Sequence, residues 1–88
     1  DLSDIKVVLN GAGAAGIAIV KLLHSYGVRD MIMCDSKGAI YEGRPHGMND
    51  TKEYVAKWTN KDKIDGSLKE VIKDADVFIG VSVADLLD

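Results

Sequence analysis

The chain has 88 residues, of which 47% are hydrophobic and 28% are charged, and its net charge at neutral pH is −3. This composition is ordinary for a soluble globular chain, and the acidic balance argues against a nucleic-acid partner, because phosphate binding needs clustered lysines and arginines. No apolar run approaches the roughly 20 residues of a membrane span, and no signal peptide opens the sequence.

The first predicted element is a strand over residues 5–10 that leads into a Gly-x-Gly-x-x-Gly sequence. The strand is nearly all apolar, as expected for a parallel strand covered on both faces. Gly11 lets the chain turn sharply, Gly13 lets a pyrophosphate approach the backbone, and Gly16 lets the next helix pack closely on the strand. The start of that helix offers N–H groups and the positive end of its dipole to phosphates.

The helix is predicted over residues 14–26, and Gly27 suits the left-handed position after its end. Helical spacing predicts a buried face formed by Ala15, Ala18, Ile19, Leu22, Leu23 and Tyr26. Ile17 and Val20 then lie on the opposite, outward face. Their apolar character predicts that another helix, or another part of a larger protein, covers them.

A short apolar strand follows at residues 31–35 and ends in Asp35. Asp35 comes 19 residues after Gly16, the spacing at which a carboxylate accepts hydrogen bonds from the adenosine ribose hydroxyls. Strand, glycine turn, helix and acid together predict the binding of a dinucleotide.

The choice between NAD and NADP depends on the charges beside this acid. Lys37 can neutralise a 2′-phosphate, with Arg44 or Lys52 assisting from the following loop, although an exposed turn lysine is the simpler interpretation. Asp35 itself would repel that phosphate, so the sequence favours NAD over NADP.

Residues 36–50 contain three glycines and a proline, which predicts a loop with a brief extended piece at 39–41. Asp50 and Glu53 form a plausible capping pair for a helix that runs to Trp58. Its predicted inward residues are Tyr54, Val55 and Trp58.

Ser67 and Glu70 form a second capping box, and a third strand is predicted over residues 76–81. The apolar face of the short helix between them consists of Leu68, Val71 and Ile72.

Three strands with flanking helices predict the α/β class: a Rossmann-like three-layer domain with a partial parallel sheet over residues 1–88. A complete doubly wound dinucleotide fold needs about six strands, so the chain is predicted to be one mononucleotide-binding half. The single Cys34 cannot form an internal disulfide, and it favours a reducing, cytoplasmic location.

Three stretches resemble the cofactor-binding domain of bacterial malic enzymes: Val-Val-Leu-Asn-Gly-Ala-Gly-Ala-Ala-Gly-Ile-Ala at 7–18, Cys-Asp-Ser-Lys-Gly-Ala-Ile-Tyr at 34–41 and Asp-Val-Phe-Ile-Gly-Val-Ser at 76–82. The second is the most distinctive, because generic Rossmann domains lack it. The resemblance covers essentially the whole chain. It implies NAD(P)-dependent oxidative decarboxylation of malate to pyruvate and CO2, assisted by Mg²⁺ or Mn²⁺. It also implies that the third strand lies beside the first, away from the second.

The resemblance assigns cofactor-binding residues but no catalytic or metal-binding residues. The family's catalytic tyrosine and lysine and its metal-binding acids lie outside these residues, so the chain alone is expected to be inactive. The pyrophosphate turn, the adenosine-ribose corner and the strand end near the nicotinamide are matched, in order, by Gly11, Ala12, Gly13, Ala14, Ala15 and Gly16; by Asp35, Ser36 and Lys37; and by Gly80, Val81 and Ser82.

An alternative function is a non-catalytic nucleotide-sensing or interaction module that kept the fold. The expected partners are the dinucleotide, malate and pyruvate in the full enzyme, and further copies of the chain, because a three-stranded sheet leaves two edges unpaired. No nucleic acid or membrane partner is expected. His24 and His46 have no second ligand at a useful spacing, so neither is expected to bind a metal.

Overall fold

The computed structural model describes residues 2–11 and 13–80, which form four strands and three helices. These are β1 (Lys6–Asn10), α1 (Ala14–Ser25), β2 (Asp30–Asp35), β3 (Gly38–Ala39), α2 (Asp50–Ala56), α3 (Leu68–Val71) and β4 (Val77–Gly80). Short 3-10 turns cover Leu2–Asp4 and Ile72–Asp74. None of the helices in these ranges is long and apolar enough to cross a bilayer. The predicted α/β class is confirmed.

The sheet has the strand order β3-β2-β1-β4, and β1 pairs in parallel with both β2 and β4. Val8 lies opposite Ile32 on one side and opposite Phe78 on the other. The third parallel strand therefore lies beside the first and away from the second, as the resemblance implied. The carboxyl ends of three parallel strands meet at one edge of the sheet.

The strand β3 overlaps the extended piece predicted at 39–41, but its pairing with the sheet was not predicted, and it makes the sheet mixed rather than parallel. Its two residues pair antiparallel with β2, with Ala39 opposite Cys34 and Gly38 opposite Asp35. Only two residues separate β2 from β3, too few for the crossover that a parallel return needs. The chain therefore folds straight back along β2.

The two central strands are buried on both faces, which explains their nearly continuous apolar sequences. Alternate residues of β1 and β2 enter two separate clusters, as the two-residue repeat of a strand requires. The larger cluster includes side chains from α1 and α2, and the smaller one is completed by α3. Their buried members are, respectively, Val7, Leu9, Val20, Val28, Met31, Met33, Ile40, Val55 and Ala56, and Val8, Ile32, Cys34, Ala39 and Val71.

The predicted buried face of α1 is correct only at Ile19 and Leu23, which are partly buried against the larger cluster. Gly16 and Val20 are its buried residues, and Ile17 also packs against the larger cluster. A Cβ on Gly16 would lie 2.5 Å from the Gly11 carbonyl oxygen, so the helix comes nearest the sheet at its glycine. The buried line continues from there at four-residue spacing. The residues assigned inward but found exposed are Ala15, Ala18, Leu22 and Tyr26. Ile17 and Val20 therefore do not form an outward apolar face.

The helix ends follow local sequence signals closely. Gly27 takes the left-handed conformation after α1, with φ +107°. The Ser67 and Glu70 capping box at α3 is confirmed. At α2 the predicted cap is wrong by one residue, because Asn49 rather than Asp50 is the N-cap and accepts a backbone N–H with its side chain.

The inward face of α2 is only partly as predicted. Val55 is buried and Trp58 packs against the larger cluster, but Tyr54 is 42% exposed. The Trp58 ring lies between the His24 ring, 5.0 Å away, and the Tyr54 ring, 5.7 Å away. The Lys21 ammonium lies 5.1 Å from the centre of the Tyr54 ring. Tyr54 therefore joins an aromatic contact between α1 and α2 at the surface.

Candidate functional site

The glycine turn (residues 11–16) leaves the carboxyl end of β1 and enters α1. Gly11 has φ +123°, a left-handed value that favours glycine, and its N–H donates to the Cys34 carbonyl at 2.8 Å. Gly13 is extended, and a Cβ built there would meet nothing within 4 Å. The turn is therefore held against the end of β2 while the space beside Gly13 stays open.

The first turn of α1 supplies backbone donors at this opening. No side chain caps the helix at Gly13, and the Ile17 N–H donates to the Gly13 carbonyl at 3.1 Å. The amides that precede Ile17 have no intrahelical acceptor, and Ala14 and Ala15 are exposed. Such N–H groups bind anions at helix N-termini.

Asp35 ends β2 beside the turn, and its carboxylate accepts four hydrogen bonds from the chain itself. Oδ1 accepts from the Lys37 backbone N–H at 2.9 Å and from Arg44 Nη1 at 3.0 Å. Oδ2 accepts from Arg44 Nη2 at 2.7 Å and from Lys52 Nζ at 2.7 Å. A carboxylate offers about four acceptor positions, so these contacts fill its capacity.

Arg44 is the residue whose role was misassigned from sequence. Its side chain is 1% exposed, and it forms a bidentate pair with Asp35 rather than reaching outward to a phosphate. Its guanidinium also donates to the carbonyls of Ala39 and Gly47, at 3.2 and 3.0 Å. An arginine in the glycine-rich loop that follows a strand ending in an acid could have predicted this ion pair from the sequence. The path of the loop, however, decides which cation reaches the acid.

The network also sets the ionisation of the corner. Burial alone would raise the pKa of Asp35, but the hydrogen bonds from Arg44, Lys52 and the Lys37 backbone outweigh burial and hold that pKa well below its usual range. The hydrogen bonds to Asp35 raise the pKa of Arg44. Next to the acid, burial raises the pKa of the Cys34 thiol to about 11, so this thiol stays protonated and unreactive.

A cavity of about 530 Å³ opens beside this corner, at the carboxyl edge of the sheet. Two segments line it, residues 35–38 (the first wall) and residues 67–69 (the second wall), and Asn10 lines it as well. The sequence had assigned Ser36 and Lys37 to this corner, and both are exposed. It had not assigned the second wall, because residues 67–69 are some 30 positions further along the chain.

The two walls of the cavity are joined by a close backbone contact. The Ala39 N–H donates to the Gly66 carbonyl at 2.8 Å. Gly38 has φ +107°, and a Cβ built there would lie 2.5 Å from the same Gly66 oxygen. The two segments that line the cavity are therefore in close backbone contact at this point, and a side chain at Gly38 would clash with Gly66.

The comparisons with known proteins agree on one family. The bifunctional malic/malolactic enzyme of Bacillus subtilis is 78% identical over 86 residues, covering 98% of this chain and 21% of that protein. The probable NADP-dependent malic enzyme of Rickettsia prowazekii is 52% identical over 84 residues, covering 93% and 10%. The solved NAD-dependent malic enzyme of Thermotoga maritima matches with a TM-score of 0.86 at 40% identity, over 93% of this chain and 22% of that one. Over nearly its whole length, the chain is similar to malic enzymes. No family model matches the chain.

The chain spans about a fifth of the length of the Bacillus malic enzyme relative. Of the residues assigned to the cofactor, Ala12, Val81 and Ser82 lie outside the described residues, while Gly80 ends β4 at the same sheet edge as the glycine turn. No group of three or more His, Cys, Asp or Glu side chains that could hold a metal occurs within residues 2–11 and 13–80.

Proposed function

We propose that these residues bind the dinucleotide, NAD or NADP, in a malic enzyme that oxidatively decarboxylates malate to pyruvate and CO2. The fold that serves this function is the cofactor half of a Rossmann-like three-layer domain. The nicotinamide supplies hydride acceptance when it is bound. The residues of this chain bind the cofactor, orient it and present one end of it to a substrate that the rest of the protein holds.

The open face of the glycine turn is the observation that carries this proposal. Gly13 leaves room for a diphosphate against the backbone, and the exposed residues Ala14 and Ala15 begin α1 beside it, where their amides have no intrahelical acceptor. Backbone donors and the helix dipole together favour an anion there. A cofactor bound at Gly13 would extend along the carboxyl edge of the sheet, where the cavity and Gly80 also lie. The resemblance assigns Val81 and Ser82 to the nicotinamide end of the cofactor.

The adenosine half of the cofactor is proposed to occupy the cavity beside Asp35, Ser36 and Lys37. The preference for NAD depended on an uncompensated Asp35 charge. In the structure that charge is paired with Arg44 and Lys52. The names of the relatives include both an NAD-dependent and a probable NADP-dependent malic enzyme. We therefore propose that both dinucleotides fit this corner.

Catalysis and metal binding are proposed to come from other parts of the malic enzyme polypeptide. The described residues contain no candidate metal cluster, so the Mg²⁺ or Mn²⁺ of the full enzyme would take its ligands elsewhere. The 88-residue chain alone is expected to show no malate-dependent reduction of NAD or NADP. A cytoplasmic location is proposed for the whole enzyme.

Self-association is proposed from the outer edge of β4. Val77 and Phe78 on this strand are 40% and 45% exposed, and within the described residues β4 pairs with β1 alone. An open strand with exposed apolar side chains invites a further strand or a second copy of the chain. The full enzyme is proposed to be a homo-oligomer.

The test is the substitution Gly13→Val. Valine fits the extended backbone at this position, yet its side chain fills the space where phosphate must approach. Loss of two backbone–phosphate hydrogen bonds predicts binding of NADH weakened by at least about a hundredfold, measured by fluorescence titration of the longest natural polypeptide that carries this sequence. Ala18→Val, at an exposed position of the same helix, is the matched control and should leave binding unchanged.

Parent affinity in the Gly13→Val variant would place the pyrophosphate elsewhere and overturn the proposal. Binding of NADH by the parent without malate-dependent NADH production would instead support the nucleotide-sensing module. The two measurements therefore separate the two functions.

A further inference from the structure

The charge that the cavity presents to a ligand is positive. Lys37 and Lys69 both line it, from two separate segments of the chain; both are exposed, and neither forms an ion pair within the described part of the chain. The Asp35 carboxylate also lines the cavity, but Arg44 and Lys52 already engage it at 2.7 Å. The negative charge of Asp35, the acid that motifs of this kind use for ribose hydroxyls, is thus neutralised by Arg44 and Lys52.

The acids nearest to the second wall do not cancel its charge. Glu70 accepts the Ser67 backbone N–H at 2.8 Å and is held in the α3 capping box. Asp65 acts electrostatically on Arg44 and is not among the residues that line the cavity. Lys69 lines the cavity and is in no ion pair among the described residues, so its charge is available to a ligand there.

Two other cations near Asp35 are poor candidates for direct ligand contact. Arg44 is 1% exposed at its side chain, and its Nη1 and Nη2 groups donate to Asp35 and to backbone carbonyls, while Nε is buried away from the surface. Lys52 donates to Asp35 and to the Gly47 carbonyl. Both would have to break contacts in order to reach a ligand, whereas Lys37 and Lys69 would not.

We propose that Lys69 is a specificity-determining residue that, together with Lys37 in the same cavity, binds a phosphate on the adenosine 2′ position. This inference rests on the proposed binding of a dinucleotide, and it names the side chain that favours the 2′-phosphorylated form. Two lysines beside one cavity hold a doubly charged phosphate better than a hydroxyl, because the phosphate is attracted by both positive charges and the neutral hydroxyl is not.

The test uses adenosine 2′,5′-bisphosphate and adenosine 5′-monophosphate as probes, with calorimetric titration of the longest natural polypeptide that carries this sequence. The parent should bind the bisphosphate more tightly. Lys69→Met should reduce that preference about tenfold, the effect of one charge-assisted hydrogen bond, with the monophosphate affinity changed by less than about twofold. Lys69→Arg should keep the preference.

Lys73→Met is the matched control, because Lys73 is exposed just beyond α3 and does not line the cavity. This control should keep the parent's preference. Equal weakening of both probes by Lys69→Met, an unchanged preference in that variant, or a parent that does not prefer the bisphosphate would each overturn the inference. If the parent binds neither probe and no NADH, the proposed function fails as well, so the two failures are distinguishable.

Discussion

Two regions meet at the carboxyl ends of β1 and β2, and they are built by different means. The glycine turn, residues 11–16, is shaped by its backbone, and its geometry depends on the glycines, which have no side chain. The acid corner, formed by Asp35, Arg44, Gly47 and Lys52, is a network of charged side chains and one carbonyl. The first leaves open space at Gly13, whereas the second fills its own acceptor positions.

The difference follows from the sequence distances over which each region is assembled. The decisive contact of the turn is between Gly11 and Gly16, five residues apart. The partners of Asp35 lie 9 and 17 residues further along, in a glycine-rich loop. The spacing of the glycines along the sequence therefore predicts the role of the turn. It does not predict which cations neutralise the Asp35 carboxylate.

The largest expected effect comes from removing Arg44. The Arg44→Met variant leaves the half-buried Asp35 with Lys52 as its remaining ion-pair partner. Breaking a buried ion pair by removing one partner costs about 3 kcal/mol, measured as the free energy of unfolding in urea from Trp58 fluorescence of the 88-residue chain. Arg29→Met removes the chain's other arginine, which is exposed and bonds carbonyls, and it should cost about 1 kcal/mol or less. Equal costs would show that the acid corner is no more than a surface contact.

A smaller effect is expected at the turn. A Cβ on Gly16 would lie 2.5 Å from the Gly11 carbonyl oxygen and 3.1 Å from the methyl carbon of Met33. Gly16→Ala should therefore destabilise the chain by about 2 kcal/mol, despite the better helix propensity of alanine. Gly13→Ala is the matched control, since its Cβ meets nothing within 4 Å, and it should change stability by less than about 1 kcal/mol. A stabilised Gly16→Ala variant would contradict the close approach of α1 to the turn.

The smallest expected effect is on the pH dependence of stability, to which the ionisation of Asp35 contributes. The folded pKa of Asp35 is lowered, so its contribution to stability is present above the unfolded pKa, near 4, and is lost as pH falls through the folded pKa. Between about pH 5 and pH 2 the parent should lose about 1 kcal/mol more than Asp35→Asn does. Asp62→Asn, in an exposed loop, controls for the loss of one carboxylate. If stability fell with pH equally in the parent and in Asp35→Asn, ionisation of Asp35 would not contribute to the acid sensitivity of the fold.

Much of the fold was predictable because its signals are local or periodic. The apolar runs located all three parallel strands, and the Ser67–Glu70 pair located the start of α3. The face of α1 was not predictable from apolar content, since the richest stripe includes Leu22 and Tyr26, which are 53% and 66% exposed. Because α1 approaches the Gly11 carbonyl most closely at Gly16, the buried stripe of the helix runs through Gly16 and Val20 instead.

The sequence by itself determined the strand–turn–helix unit and the acid that follows it, because glycine conformation and strand burial depend on neighbours a few residues away. Only the tertiary structure decided that Arg44 and Lys52 engage Asp35, that β3 folds back along β2, and that residues 67–69 form the second wall of the cavity. Each of these depends on where a long loop brings a distant residue. A carboxylate accepts hydrogen bonds from donors that lie within about 3 Å. Spacing along the chain does not specify which donors those are.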